Sequence, residues 1–444
     1  MASEDQTLLP KFSDAKLTET EIETKKYAMY VFSVLVHVVQ GIFIIFFGVF
    51  ASEGSVLDSS STKDFNVGYQ VFLGVLLMMT VGFGYLMTFL SHYSLGSVGF
   101  CLLVTAITFQ WAMFTEAFFT QLFSLSFGYM SMNIYDMINS LYAVAAVLIS
   151  FGGVIGKTTP TQLLVMVLVE LVFYSINNRI FATGFFDIAD CGGTIVIHMF
   201  GAYFGLAVSW MMRLPKTEVK ESYTSDIFSL IGTMILWAYW PSFVGGYLDS
   251  GSNQQQRAIT NTILALVGST TAAFAASIWY SADGRFRPAD IQNATLAGGV
   301  AIGAIANLTL SPFTPVLVGF IAGHVSTFGF AKLQAMIEEA IDLHDSAGIH
   351  NLHGMPSLIG GVASVIVAAY KTTGGRSSDS AVYDNGSYQA LYQFMAIVIT
   401  LFIAITSGML AGWLMRNCDL SVKYQKFHDA MFWSAKDPAS GKSE

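Results

Sequence analysis

The sequence predicts an all-α polytopic membrane protein of about twelve transmembrane helices, built around an inverted five-helix repeat. Three observations lead there. Hydrophobic residues make up 54% of 444 and charged residues only 11%. Many stretches of eighteen or more residues carry no charge, which is the length and character of a membrane span. And one polar pattern occurs twice inside apolar sequence, in the two halves of the chain. Asp190-Cys-Gly-Gly193 is followed at the fifth further position by His198, and Asp345-Ser-Ala-Gly348 is followed in the same way by His353, with Gly205 and Gly360 seven residues beyond.

The first span, 27–51, follows a polar tail (1–26). It is too long for the core of a signal peptide and no small-residue cleavage site follows, so it reads as a retained helix. Further apolar runs fall near 68–92, 95–117, 131–155, 160–178, 185–212, 225–249, 258–279, 289–306, 311–332, 345–370 and 390–415, before a mixed-charge tail at 416–444. An even number of spans puts both tails on one side. All but five of the 21 Lys and Arg then lie in the tails and on that side, the exceptions being Lys63, Arg179, Arg257, Lys371 and Arg376. This bias predicts cytoplasmic termini. The sequon Asn385-Gly-Ser falls in an outer loop and is a candidate glycosylation acceptor. Glu4-Asp-Gln-Thr-Leu-Leu9 has the form of an acidic dileucine sorting signal, and a plasma membrane or an endosomal or vacuolar membrane is the expected location.

Five spans separate the two Asp/His segments, so the second copy crosses the membrane in the opposite sense. That predicts inverted repeats at about 68–212 and 225–370, with helices 27–51 and 390–415 outside them. Asn139 and Asn293, each ahead of a small-residue run, repeat the relation on another helix. Eight helical residues put each histidine roughly 12 Å deeper than its aspartate, approaching the midplane from opposite faces. A two-fold axis in the membrane plane then brings the imidazoles together, one nitrogen donating and the other accepting.

Ionisable residues at membrane depth mark substrate or ion paths, and repetition favours that reading for His198 and His353 over packing. Asp190 and Asp345 admit helix capping equally well, and capping is compatible with an electrostatic role. The small-xxx-small pattern from Gly201 to Gly205 is read as close helix packing. His344, His350 and His353 lack the further ligands a metal centre needs. Cys101, Cys191 and Cys418 are too scattered for a disulfide framework. The net charge of −9 comes mainly from tails and loops and gives no reason to expect a nucleic-acid partner. No cofactor and no enzymatic reaction are predicted.

Longer motifs carry a family likeness. Gly84-Tyr-Leu-Met-Thr-Phe89, Phe151-Gly-Gly-Val-Ile-Gly-Lys-Thr-Thr-Pro-Thr-Gln162, Ile197-His-Met-Phe-Gly-Ala-Tyr-Phe-Gly-Leu206, Trp240-Pro-Ser-Phe243, Ile291-Gln-Asn-Ala-Thr-Leu-Ala-Gly-Gly299 and His350-Asn-Leu-His-Gly354 resemble the Rh glycoprotein branch of the ammonium transporter family. The likeness covers roughly residues 30–415, in the family's order. It implies a homotrimer in the lipid bilayer with one pore per subunit, conducting ammonia or ammonium, with methylammonium as analogue.

By the same resemblance, His198 and His353 match paired pore histidines and Asp190 an acidic residue near the outer vestibule. Phe243 matches one of two stacked aromatic gate residues, and Tyr142 stands where the other is normally Phe. The added phenol oxygen either wets the gate or pins it shut. Val-Gly-Gly after Phe243 is a further departure. Asp345 is expected at the inner vestibule or as a cap. The competing readings are a carbon dioxide channel, a structural Rh-like membrane protein without transport, and a membrane metalloenzyme, for which ligands are missing.

Overall fold

A computed structural model describes residues 19–51, 62–130, 132–181, 185–213, 222–372, 382–383, 385–417 and 429–434. The sorting-signal motif at 4–9 lies outside them, as does most of the loop carrying Asn385. Among the described residues the architecture is helical, without strands. Eleven helical segments there are long and apolar enough to cross a membrane.

The chain opens with α1 (Glu19–Phe50), then α2 (Thr62–Leu77), which runs through a π-helical turn (Met78–Gly82) into α3 (Phe83–Leu86). Long helices α4 (Ser94–Ser124), α5 (Ile134–Val154) and α6 (Pro160–Phe181) follow. A second π-helical turn (Thr194–Met199) leads into α7 (Phe200–Met212), and then come α8 (Tyr223–Gly245) and α9 (Asn253–Tyr280). The expected span 289–306 is two short helices, α10 (Pro288–Ala294) and α11 (Ala297–Ile302), broken at Thr295 and Leu296. α12 (Phe313–Phe328) continues through another π turn into α13 (Gln334–Ile341). A π turn at His350–Gly354 then opens α14 (Met355–Thr372), and α15 (Gln389–Asn417) completes the apolar set.

α5 forms the centre, buried along almost its whole length from Ile138 to Val154. It starts from a capping box, in which Asn133 accepts from the Tyr135 and Asp136 amides while Asp136 accepts from the Asn133 amide. α7 lies against α5 with almost no spacer. A Cβ at Gly201 would come within 2.5 Å of the Ala146 carbonyl oxygen, and one at Gly205 within 2.7 Å of Ser150 Cα. Glycine at these two positions is what lets the helix carrying His198 reach the centre. The periphery is the reverse: Tyr30, Ile44, Ile366, Phe402 and Trp413 stand exposed on α1, α14 and α15. Such an apolar perimeter has a lipid solvent rather than water. The protein is an integral, multi-pass membrane protein.

A short C-terminal helix, α16 (Asp429–Phe432), returns to the start of α4. The Asp429 carboxylate accepts from the amides of Leu95 (2.6 Å) and Gly96 (2.7 Å), and Phe432 and Trp433 pack on Phe100. This is an N-cap supplied from more than 300 residues away. Burial pushes the Asp429 carboxyl up to about 6, against the two amide bonds that pull it down. A carboxyl raised in the docked state makes docking proton-linked: its contribution is complete below the ordinary value of 3.8 and is lost as pH rises through about 6. Acidification from pH 7.5 to 5.5 is therefore expected to tighten the tail on α4. Hydrogen exchange at residues 95–100, corrected for intrinsic rates, measures it.

Candidate functional site

The two histidines are built into the fold in the same way. In each half an aspartate precedes a glycine in the left-handed region, Gly193 at φ 67° and Gly348 at φ 72°, where a side chain is disfavoured. A π-helical turn carrying the histidine follows. Asp190 Oδ2 accepts from the amides of Ile195 and Val196, both at 2.9 Å. Asp345 accepts from Ile349 through Oδ1 (2.9 Å) and from His350 through Oδ2 (2.8 Å). Each carboxylate thus satisfies two amides that a helix start leaves without partners. The expected helical spacing of aspartate and histidine is not realised. Residues 190–193 form a turn and the helix begins at Thr194, so Asp190 folds back over the turn instead of lying two helical turns above His198.

The imidazoles meet. His198 and His353 are both buried, with Nδ1 to Nδ1 at 3.2 Å and ring planes 12° apart. Two further rings extend the stack: Trp240 lies over His198 (centroids 5.6 Å, 18°) and Phe83 over His353 (6.1 Å, 18°). Trp240 stood in a motif quoted above without a role of its own. Phe83, one of 36 phenylalanines, gave no sequence signal. Beside His353 is a cavity of about 20 Å³, bordered by Phe83, Leu148, Asn293, Ile349 and Leu352. That is room for one water-sized molecule, which needs about 10–15 Å³ by the same measure.

Phe243 lies 6.0 Å from His198, and Tyr142 lies 4.8 Å from Phe243 between ring centroids. The resemblance implies a stacked pair; here the planes stand at 87°, edge to face. The reason is the phenol, whose Oη donates to the Phe243 carbonyl at 2.8 Å and so fixes the ring of Tyr142 against the backbone of α8. The extra oxygen is thus used to hold the ring in place. Tyr247 follows, 6.2 Å from Tyr142 and half exposed.

Among the described residues, His198 Nε2, Trp240 Nε1 and Asp190 Oδ1 in this column are buried with no hydrogen-bond partner. Orphans of this kind are costly in an apolar interior and call for an explanation. In the α5–α6 turn, Lys157 Nζ donates to Ser209 Oγ and to the His344 carbonyl, both at 2.5 Å. This ties α7 to the segment that leads into the turn of His353. Burial lowers Lys157 to about 8, although Asp345, Glu338 and Asp342 raise it. Asn385 is half-buried, its amide donating to the Phe186 carbonyl (2.8 Å) and Gln389 Oε1 (3.0 Å).

Residues 33–426 match the family model described as Ammonium Transporter Family. The chain is 40% identical over 390 residues to ammonium transporter Rh type B of Mus musculus, spanning 84% of this chain and 85% of that protein. It is 36% identical over 406 residues to ammonium transporter Rh type C of Xenopus laevis, spanning 86% and 83%. Among solved structures, Rh50 of Nitrosomonas europaea superimposes with a TM-score of 0.71 at 30% identity, over 85% of this chain and 94% of that one. Mep2 of Saccharomyces cerevisiae, at 17% identity and a TM-score of 0.63 over 79% and 87%, shares the fold.

Proposed function

The chain belongs to the ammonium transporter family, and from that premise we propose how its Rh-type channel conducts: ammonium loses its proton at the outer mouth, and ammonia passes the His198–His353 pair. The observation that carries this reading is the pair itself, two buried imidazoles sharing one Nδ1–Nδ1 hydrogen bond. With a single proton between the two Nδ1 atoms, one ring has a bare Nε2 and the other an Nε2–H. The pair therefore offers one acceptor and one donor to the path, whichever way the shared bond points. Ammonia, both donor and acceptor, exchanges one for the other. The unpartnered Nε2 of His198 is a group such a molecule would satisfy.

Charge is excluded by the walls. An unpaired ion in surroundings of this polarity costs on the order of tens of kcal/mol, whereas ammonia costs only the hydrogen bonds that the imidazoles replace. Tyr142 and Phe243 close the path above the pair. The likeness between the Asp190 and Asp345 constructions supports an inverted repeat, and the positive-charge bias supports cytoplasmic termini. Assembly is as a homotrimer with a pore in each subunit, as the family likeness implies.

The gate gives a direct test. Tyr142→Phe removes the bond to the Phe243 carbonyl, which still accepts from the Gly246 amide at 3.4 Å, so no orphan is left. A hydrogen bond of this kind contributes about 1 kcal/mol, or roughly fivefold in the open population. Ammonia flux into proteoliposomes, followed by internal pH in a stopped-flow mixer, is expected to rise by that factor. A Tyr142→Phe protein that is slower than the wild type would mean that the phenol serves conduction instead of restraining it.

A further inference from the structure

A second cavity lies away from the histidine pair. It has a volume of about 360 Å³ and sits between α7, α13 and α15, with His350 and Asn351 of the π turn of His353 on its wall. Tyr203, Trp210, Gln334, Ile341, His350 and Ile405 border it. We propose that this cavity binds a membrane lipid of the sterol class, a rigid apolar body with one hydroxyl, and that its occupant steadies the turn that carries His353.

Two of its wall residues, Ile341 and Ile405, are exposed on the apolar perimeter. The walls are almost wholly apolar, and no Lys or Arg borders the cavity to hold a phosphate headgroup. The polar groups are few: the Asp345 carboxylate is taken by the Ile349 and His350 amides, while Asn351 Oδ1 and His350 Nδ1 are buried without a partner among the described residues, and a ligand hydroxyl can donate to either. Gln334 and Asn351 are joined to each other at 2.7 Å, and Gln334 also donates to the Asp345 carbonyl. Trp210 Nε1 is spent on the Ile341 carbonyl. The Tyr203 hydroxyl has no hydrogen-bond partner among the described residues, and its ring meets that of His350 edge-on at 5.8 Å. An apolar pocket with a few fixed polar groups is the usual form of a small-molecule site. A rigid ring system loses less conformational freedom on entering it than an acyl chain does.

The coupling follows from chain connectivity. His350 borders the cavity and opens the same five-residue turn, His350–Gly354, that presents His353 to His198. A ligand against Tyr203 and His350 bears on that turn and favours one arrangement of it. This second half of the proposal rests on the ammonia-channel reading; the binding itself does not.

The test uses the full-length protein in nanodiscs with a photoreactive sterol analogue, its adducts mapped by mass spectrometry. Adducts are expected on α7, α13 or α15, displaced by unlabelled sterol and not by phosphatidylcholine. Ile337→Trp, which fills the cavity from its half-buried α13 wall, is expected to weaken labelling about tenfold, equivalent to ~1.4 kcal/mol. Tyr203→Phe, which keeps the packing, is expected to weaken it about fivefold through loss of one hydrogen bond. Labelling that both variants leave unchanged, or that phosphatidylcholine displaces equally well, overturns the site. In proteoliposomes, added sterol should change ammonia flux in the wild type and not in Ile337→Trp; labelling without any change in flux overturns the coupling. A wild type that labels but conducts nothing with or without sterol counts against the channel reading and leaves the site standing.

Discussion

Asp190→Ala is expected to cost roughly 3 kcal/mol of stability, the sum of two buried amides left without acceptors at about 1–3 kcal/mol each, and to abolish ammonia flux. The lost bonds are those of Ile195 and Val196, in the turn that aims His198 at its partner. The amide variants separate capping from charge. Both amides converge on one oxygen, Oδ2, so the carbonyl oxygen of Asp190→Asn replaces it in place. That variant is expected to fold normally and to keep flux within a few-fold of the wild type. Asp345 spends one oxygen on each of its two amides, so Asp345→Asn forfeits one bond and is expected to be the more damaging of the two asparagine substitutions. Thermal unfolding in detergent alongside flux in proteoliposomes gives both numbers. An Asp190→Asn protein that is as stable as the wild type but inactive would show that the negative charge itself is needed at the outer mouth.

The second large effect is expected at the histidine pair. His353→Ala removes the partner of His198 Nδ1 and leaves that nitrogen buried without a hydrogen bond, with a gap between Phe83 and His198 in the ring stack. Ammonia then gives up its water at a point that no longer offers a matched donor and acceptor. A deficit of ~1.5–3 kcal/mol at the narrowest point corresponds to a flux lower by about 10- to 100-fold. His353→Phe restores the planar ring without the nitrogens. If the imidazole's hydrogen bonding is what matters, flux stays low although the stack is rebuilt. Recovery of flux in His353→Phe would assign the residue a packing role.

Much of this was legible in the sequence, and the parts that were not have physical reasons. Hydropathy located the spans because lipid selects composition over some twenty residues, a long signal. It did not locate the break at Thr295–Leu296. The Ala- and Gly-rich run there is compatible with a continuous helix, and the interruption depends on packing against α9 and α12. The Asp/His repeat singled out the two histidines whose imidazoles meet in the interior, since an ionisable group at membrane depth is too costly to recur by accident. The π-helical turns that hold them were invisible, because a single widened turn has no composition of its own. Reading Asp190 to His198 as regular helix therefore misplaced the aspartate relative to His198, although capping, one of the two roles the sequence left open, is what its carboxylate does. Tyr142 was recognisable as a departure from the family pattern, and its edge-on posture required the position of the Phe243 carbonyl. The stacking of Trp240 and Phe83 on the imidazoles brings together residues from α8, α3 and both π turns, a relation carried by tertiary structure alone.

The central claim, that ammonia crosses this protein past the paired imidazoles, is tested most directly by flux in proteoliposomes containing wild type or His198→Ala, with internal pH and membrane current recorded together. The wild type is expected to alkalinise the lumen under an ammonium gradient without a matching current, and His198→Ala, shown to be folded, to lose at least about tenfold of that flux. No flux through the wild type, or the same flux through His198→Ala, would contradict it. A current in proportion to the flux would mean that the proton crosses as well, and that the neutral species is not what the channel carries overall.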